Sequence, residues 1–568
     1  MKISRIDAEI SFSDQLTSED LGELDQAGIK SIICNRPNHE VEDEHSTLQI
    51  EKHAQALGIE LLYLPVVHSE INANDVADFE RAFEATPKPV HAYCRSGTRA
   101  ITLWSLMQVK KGNSVDSVVE VANEAGFDFK KFPATFSHVI DSFNARTPVP
   151  VIRHAYDIVI VGAGSAGISV TSSLLARNDR LKIVLIDPAD THYYQPGFTM
   201  VGGGVFNLSE TYRNMESVIP KNVSWIKSAV SSFSPEDNYV VLDNGAEVSY
   251  DRLVVCPGLE LDWDGIEGLA ATLGKNGVTS NYLADCSAYT WELVQNLGSG
   301  KAIFTQPPMP IKCAGAPQKA MYLSADHWYS NGKLKHIEVE FYNAGGVLFG
   351  VDAYLPALKS YVKKYNARLC FNHKLVKVDG PNKTAWFEKA DGAGNFELVE
   401  TDFDMIHVCP PQVAPDFIRK SQLVDKAGWV DVDPATMRHK TFPNIWSLGD
   451  VTNTPNAKTM AAARKQAPVV AVNILGDIEG KSRDSEFAYD GYGSCPLTVE
   501  KGKIVLAEFI YQGKLLPSFP KWIIDGTKPS YLAWLLKVKI LPIVYWSGML
   551  KGREWMVKPR TRVTMEVD

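Results

Sequence analysis

Three stretches of this sequence carry residue types at spacings that do chemistry. The first is a cysteine loop, Cys94-Arg95-Ser96-Gly97-Thr98-Arg99, placed after the apolar run PVHAYC and before the helix-like RAITLWSLMQ. A cysteine at a strand end, followed by a tight glycine-containing loop and a helix, faces a ring of backbone amides and the positive end of the helix. Such a cradle accepts an anion: a phosphate, or a sulfane sulfur carried on Cys94. The second stretch is YDIVIVGAGSAG, in which β-branched residues end at Gly162, Gly164 and Gly167. A helix-like ISVTSSLLARN and a second strand, KIVLID, follow and end at Asp187. That order of strand, glycine turn, helix, strand and acid predicts a dinucleotide, with its pyrophosphate over the turn and a ribose hydroxyl on Asp187. The third is KCAGAPQK, where Cys313 follows a lysine and precedes small residues and a helix start, a setting that favours the thiolate.

The elements around these stretches predict an α/β architecture. Before the glycine turn, helical segments (18–30, 45–58, 74–86) alternate with the strands SIICN, IELLYLPV and PVHAYC, which implies a parallel sheet over residues 1–145. Ser18 is expected to cap the first helix and Gly28 to end it. Cys34 falls inside an apolar strand and reads as core. Residues 142–155, with two prolines and no helical period, read as a connector. A first dinucleotide-binding segment is expected over 155–276, an inserted second α/β unit over 277–410, a return to the first domain over 411–500, and a C-terminal region over 501–568.

Composition narrows the function classes. The chain has 568 residues, 45% of them hydrophobic and 22% charged, which is ordinary for globular domains with ample core. A net charge of −9 gives no support to nucleic-acid binding. Eight cysteines without a C-x-x-C pair argue against a zinc site or a disulfide framework and for reduced thiols. The N-terminal residues lack an apolar signal core, which favours the cytoplasmic side.

The cysteine loop resembles two families. Tyrosine and dual-specificity phosphatases have five residues between cysteine and arginine; here there are four, and Ala100 stands where their arginine would be. CRSGTR matches the rhodanese sulfurtransferase pattern instead, and the whole segment resembles a small phosphatase-like domain often fused to sulfur-metabolism enzymes. Sulfur transfer by Cys94 with Arg99 is the leading expectation; phosphatase action, for which Asp75 and Asp78 are the available general acids, and a merely structural loop stay open.

Further on, VSYDRLVVCPG, with Gly258, and PNIWSLGD, with Gly449 and Asp450, resemble the second and third signatures of two-dinucleotide flavoproteins, which makes the expected cofactor FAD. Gln195, in HYYQPGFT, is expected to wall it. Residues 302–323, together with HYYQPGFT, GVLFGV, GWVDVD, LGDVTNTPNAKTMAAA and YDGYGSCPL, resemble the sulfide:quinone oxidoreductases of the mitochondrial-type branch over roughly 155–560. The resemblance implies that Cys313 is the redox cysteine beside the flavin, that sulfide or a persulfide is oxidised there, and that a quinone takes the electrons while sulfane sulfur leaves on a small thiol or on Cys94. It also implies a second cysteine directly after the GD of the third signature, where this chain has Val451. Cys256 and Cys495 read as structural.

A nicotinamide-dependent disulfide or polysulfide reductase is the alternative, as is a phosphatase-like signalling domain fused to a flavoprotein redox sensor. The former is disfavoured because NAGGVLFGV, expected at the position of a second glycine fingerprint, lacks its spacing. Finally, aromatic and basic residues flank short apolar stretches over 522–555, and the best apolar run, 531–550, is broken by Lys537, Lys539 and Pro542. This pattern predicts helices lying on a membrane surface rather than spanning it, with a path for a lipid-soluble quinone.

Overall fold

The computed structural model describes residues 3–561 except 38–39, 41–46, 69–70, 138, 141–151, 393 and 456. The chain divides into two units, Met1–Val149 and Pro150–Asp568.

The first unit is built on a sheet with the order Ser4–Arg5, Ile10–Ser13, Val90–Tyr93, Ser31–Cys34, Glu60–Tyr63, parallel apart from its first pair. The three central strands are buried along their whole length, as strands covered on both faces must be. The strand Ile10–Ser13 is an addition to the sequence expectation: its four residues, ISFS, are too few and too polar to stand out. The first helix is Leu21–Gln26, and Asp20, not Ser18, occupies its N-cap position, while Gly28 ends the segment at φ 76°. Cys34 is core, 2% exposed. The expected connector, 142–155, falls mostly outside the described residues, and its last four residues belong to the strand Ile152–Val161.

In the second unit the strand Ile152–Val161 runs into the glycine turn and the helix Ser165–Leu175. It lies between Ile183–Ile186 and Glu247–Val255, and the latter also pairs with Ile445–Ser447. The three segments read as dinucleotide signatures thus end side by side on one sheet edge. A second parallel sheet has the order Val278–Thr279, Met405–His407, Gly300–Gln306, Ile337–Asn343, Arg368–Phe371. Its leading strand–turn–helix is Gly300–Gln306, the stretch 307–315, and Ala316–Ser330. The place of a second glycine fingerprint is therefore 307–315, not NAGG. NAGG follows the next strand, where Asn343 closes the loop on itself by donating to Val347 O and accepting from Gly345 N.

Residues 531–551 form one helical segment with π-turns at Leu536–Ile540 and Val544–Gly548, on either side of Pro542. Proline has no N–H to give the carbonyl four residues back, and a wider turn on each side lets the segment continue. Tyr545 fastens it to the dinucleotide turn. The His192 Nδ1–H donates to Ala163 O at 3.2 Å, leaving Nε2 to accept from the Tyr545 hydroxyl at 2.6 Å, while that hydroxyl lies 2.7 Å from Ser165 Oγ. Burial pushes the His192 pKa down to about 4, so the ring stays neutral and keeps this arrangement. Tyr545→Phe leaves a buried imidazole nitrogen and a serine hydroxyl unpaired and is expected to lower stability by about 1–3 kcal/mol, measured by chemical denaturation of the flavin-loaded protein.

Candidate functional site

One cavity of about 640 Å³ lies where the two sheets of the second unit meet the C-terminal helical segment. Its walls include Gly164, Gln195, Gly258, Gly449 and Asp450 from the expected binding set, together with Cys313, Lys319 and Lys537.

The glycine turn divides its work among its residues. Gly162 has φ 100°, and a Cβ there would lie 2.5 Å from Cys256 O; a Cβ on Gly167 would lie 1.8 Å from Gly162 O. These two allow the strand and helix to close together, and neither lines the cavity. Gly164 does, with open space where its side chain would be. A long polar ligand can therefore approach the backbone and the helix N-terminus there. Asp187 is turned to the turn itself, its Oδ2 accepting from Ala163 N at 2.6 Å and its Oδ1 from Ala189 N at 2.8 Å. It is not among the residues that line the cavity.

The far wall carries charges that a polar ligand would meet. Lys312 Nζ donates to Gln195 Oε1 at 2.7 Å. Lys458 Nζ donates to the carbonyls of Asp450 and Thr452, both at 2.7 Å, and burial pushes its pKa down to about 8. Burial raises the Asp450 carboxyl, with Lys458 and Lys312 pulling the other way. Asn281, 6% exposed on this wall, has neither end of its amide paired within the protein. A buried amide with four unused hydrogen-bonding positions on the wall of this cavity suits a polar ligand.

The thiol chemistry is set by the stretch 307–315. Cys313 holds a left-handed backbone, φ 52°, tied by its N–H to Lys458 O at 2.8 Å and by its carbonyl to Ala316 N at 2.7 Å. It comes just before the helix Ala316–Ser330, whose first turn faces it. Lys319, one turn into that helix and 5% exposed, donates from Nζ to Cys313 Sγ at 3.1 Å.

A second thiol is there, and the sequence reading missed it. Cys495, on the strand Gly493–Glu500, has its sulfur 3.6 Å from that of Cys313. The expectation that Cys495 is structural is corrected by this distance, which 182 intervening residues hide in the sequence. The vacancy at Val451 is real, since that side chain is fully buried in the core of the first sheet; the partner thiol comes from elsewhere. Gly315 makes room for it: a Cβ there would lie 2.5 Å from Cys495 Sγ. Cys256 is a buried thiol packed against Gly162 O, its pKa raised by burial, in keeping with a structural role.

The two thiols differ sharply in acidity. A hydrogen bond from the Cys495 S–H, with Lys319 and Lys537 adding positive charge against the penalty of burial, holds the Cys313 pKa well below the usual thiol range. That same bond and burial push Cys495 well above it. Burial alone would lower the Lys319 pKa, but the two sulfurs outweigh it and the ammonium is retained. Lys537, buried on the C-terminal helical segment with its Nζ donating to Pro196 O, is pushed down to about 7 by burial and then by Lys319.

In the first unit, Cys94 lies between the strand Val90–Tyr93 and the helix Thr98–Lys110 and is 1% exposed. Gly97 takes φ 78°, and a Cβ there would meet Phe127 at 2.8 Å. Arg99 does not reach over the loop as a free cation; it is paired with Glu40. Asp75 accepts from Asn72 N at the start of its own helix, and Asp78 pairs with Arg81, so both expected general acids serve as helix acids.

Two outcomes follow from the thiol pair. Cys313 should be alkylated by iodoacetamide at about pH 6.5, well below the range of an ordinary thiol, and Lys319→Met should slow this about tenfold or more by removing the cation that holds the thiolate; peptide mapping after timed alkylation reads the rate. Gly315→Ala should separate the sulfurs and abolish formation of a Cys313–Cys495 disulfide under mild oxidation, read by mass spectrometry.

A family model for the phosphatase-like domain of beta-lactamase hydrolase-like proteins matches residues 3–111, and one for pyridine nucleotide-disulphide oxidoreductases matches 156–302. The mitochondrial sulfide:quinone oxidoreductase of Dictyostelium discoideum is 41% identical over 410 residues, spanning 72% of this chain and 88% of that protein. The mouse protein of the same name is 36% identical, over 70% of this chain and 87% of its own length. The solved sulfide:quinone oxidoreductase of Aquifex aeolicus shares the fold, with a TM-score of 0.58 at 20% identity, over 72% of this chain and 94% of that one. With a dinucleotide cavity, an acidic thiol on its wall and relatives matched over nearly their whole length, the chain belongs to the sulfide:quinone oxidoreductase family and is a flavin-dependent oxidoreductase.

Proposed function

We propose that this protein oxidises sulfide, with FAD in the cavity beside Gly164, carries the sulfur on Cys313 and Cys495, and passes the electrons to a quinone that it meets at a membrane surface. The observation that carries this is the pair of sulfurs 3.6 Å apart on the cavity wall, one of them held as a thiolate by Lys319. A single bridging sulfur, with two bonds of about 2.05 Å each, spans about 3.3 Å, so the pair accommodates a disulfide or one inserted sulfur with little movement.

The chain's own residues account for the sulfur steps. Hydrosulfide attacks the oxidised pair: one S–S bond breaks and another forms, leaving a persulfide on one cysteine and a thiolate on the other. A small thiol then takes the outer sulfur as its own persulfide, which leaves both cysteines reduced. Lys319 stabilises the thiolate at Cys313, and Lys537, with its pKa about 7, exchanges a proton at Nζ close to physiological pH. When bound, FAD supplies the two-electron sink through which re-formation of the S–S bond is coupled to the quinone. Hydrosulfide, one thiol, one quinone and one proton thus give one persulfide and one quinol.

A nicotinamide acceptor is disfavoured by what fills 307–315. Pro307, Pro308, Pro310 and Cys313 occupy the turn where close approach of a second pyrophosphate would need glycine. The outer face of 531–551 supports the membrane instead. Tyr531, Leu532, Leu535, Ile540 and Ile543 are exposed along it, with Trp522, Trp555 and Met556 nearby. Exposed aromatics and aliphatics beside lysines fit a headgroup layer. In the first unit, Cys94 carries sulfane sulfur to or from a small thiol by the same exchange chemistry, with no net oxidation.

An anaerobic sulfide titration tests the main reading. Sulfide should bleach the flavin of the wild-type protein, and added quinone should restore it; Cys313→Ser and Cys495→Ser should each slow bleaching by at least about a hundredfold, the loss expected when a nucleophile is removed from its unit. A flavin that stays oxidised with sulfide but bleaches with NADH would sink the proposal. For the membrane, Leu535→Glu with Ile543→Glu should abolish co-flotation with phospholipid vesicles while reduction of a water-soluble quinone continues.

A further inference from the structure

Arg99, one residue short of the position that Ala100 holds, is tied by a built-in carboxylate, while Arg95 of the same loop stays exposed. Arg99 Nη1 donates to Glu40 Oε1 and to Val66 O, both at 3.0 Å, and Nη2 donates to Glu40 Oε2 at 2.5 Å. The Arg99 side chain is 11% exposed, so little of the guanidinium is left for a ligand. Arg36 closes on the same residue, its Nε 3.6 Å from Glu40 Oε2 and its Nη2 donating to Glu40 O, while Nη1 donates to Gln15 Oε1. The two-point fork between guanidinium and carboxylate is the arrangement by which arginine takes a phosphate. Glu40 therefore uses the donors that a phosphate dianion at the loop would require.

A second observation points the same way from the other side. The parallel register pairs Cys34 with Tyr93, and Asn35 N donates to Tyr93 O, which brings Asn35 level with Cys94 at the ends of adjacent strands. Asn35 is fully buried; its Nδ2 donates to Leu64 O at 2.8 Å, and its Oδ1 has no partner within the protein. A buried amide oxygen with no donor adds no positive charge at this end of the sheet with which to balance a phosphate dianion. Amides from the loop can still hold a single sulfur, as the sequence predicts.

We propose that Glu40 is the specificity-determining residue of the Cys94 site: by holding Arg99 it excludes phosphate dianions and phosphomonoesters, and it leaves the loop to the hydropersulfide of a small thiol. This rests on the reading of Cys94 as a carrier of sulfane sulfur, and the test separates the two. Orthovanadate, a phosphate mimic, is titrated calorimetrically into the full-length, flavin-loaded protein. Wild type should bind it at least about tenfold more weakly than Glu40→Gln, the size of effect expected when a charge-assisted pair is released; Glu40→Gln with Arg99→Gln should lose the gain. If Glu40→Gln does not fold, Glu40→Asp, one methylene shorter, should show a smaller gain in the same direction. Vanadate binding as tight in wild type as in the variants, or no gain in any folded variant, overturns the proposal. Sulfur transfer from a persulfide to a thiol is measured on wild type: if Cys94 transfers none while Glu40→Gln gains vanadate, the sulfur reading falls and the charge filter stands.

Discussion

The contact on which the catalytic unit depends is the buried pairing of the Lys319 ammonium with the Cys313 sulfur. Removed from water separately, each group would surrender its charge, since desolvation works against both. Together they keep it: the thiol is driven down by its neighbours and the lysine is held up by the sulfurs. Around that pair the fold supplies what two buried charges need. Cys495 contributes an S–H to the thiolate, the helix Ala316–Ser330 contributes its N-terminus, and the left-handed turn at Cys313 aims the sulfur at both. Non-glycine residues rarely take that backbone conformation, and here four bonds from Lys458, Ala316 and Tyr282 to residues 312–313 hold it.

The same supersecondary unit is used twice with opposite aims. In the dinucleotide-type sheet of the second unit, strand, glycine turn and helix leave a space at Gly164, and the helix N-terminus opens on the cavity. In the other parallel sheet of that unit, strand Gly300–Gln306 and helix Ala316–Ser330 keep the frame but replace the glycine turn with prolines and a cysteine. The positive end of the helix then stabilises a thiolate that belongs to the protein. One geometric device thus appears twice on a single cavity, once as an open glycine turn and once as the seat of a thiolate.

What the sequence disclosed follows the range of the interactions involved. The glycine turn, the strands ending at Gly258 and Gly449, and Cys313 before a helix are local patterns, and the structure gives each the position its neighbours in sequence predict. Cys495 is different. Nothing near it in sequence marks a reactive thiol, and its partner is 182 residues away, so only the packing of its strand against a helix start brings the two together. Asp187 shows what local pattern leaves out: its spacing matches a ribose-binding acid, and its carboxylate also braces the turn by accepting from Ala163 N. Arg99 fits a loop motif by position, while Glu40, the residue paired with it, lies 59 positions away in the chain.

The C-terminal segment shows why an interruption in an apolar run says little about how a helix divides its two faces. Lys537 breaks the run in sequence but points inward, 4% exposed, to the carbonyl of Pro196 and the field of the Cys313 thiolate. Lys539 is exposed, on the side that carries Leu535, Ile540 and Ile543. The helix has two unlike sides, an inner one that serves the thiol site and an outer one that is exposed and largely apolar. On its inner side it presents to the cavity a lysine whose charge is balanced near neutral pH. The element that closes one side of the cavity also sets the electrostatics of the thiol pair, so the exposed face and the thiol site share one helix.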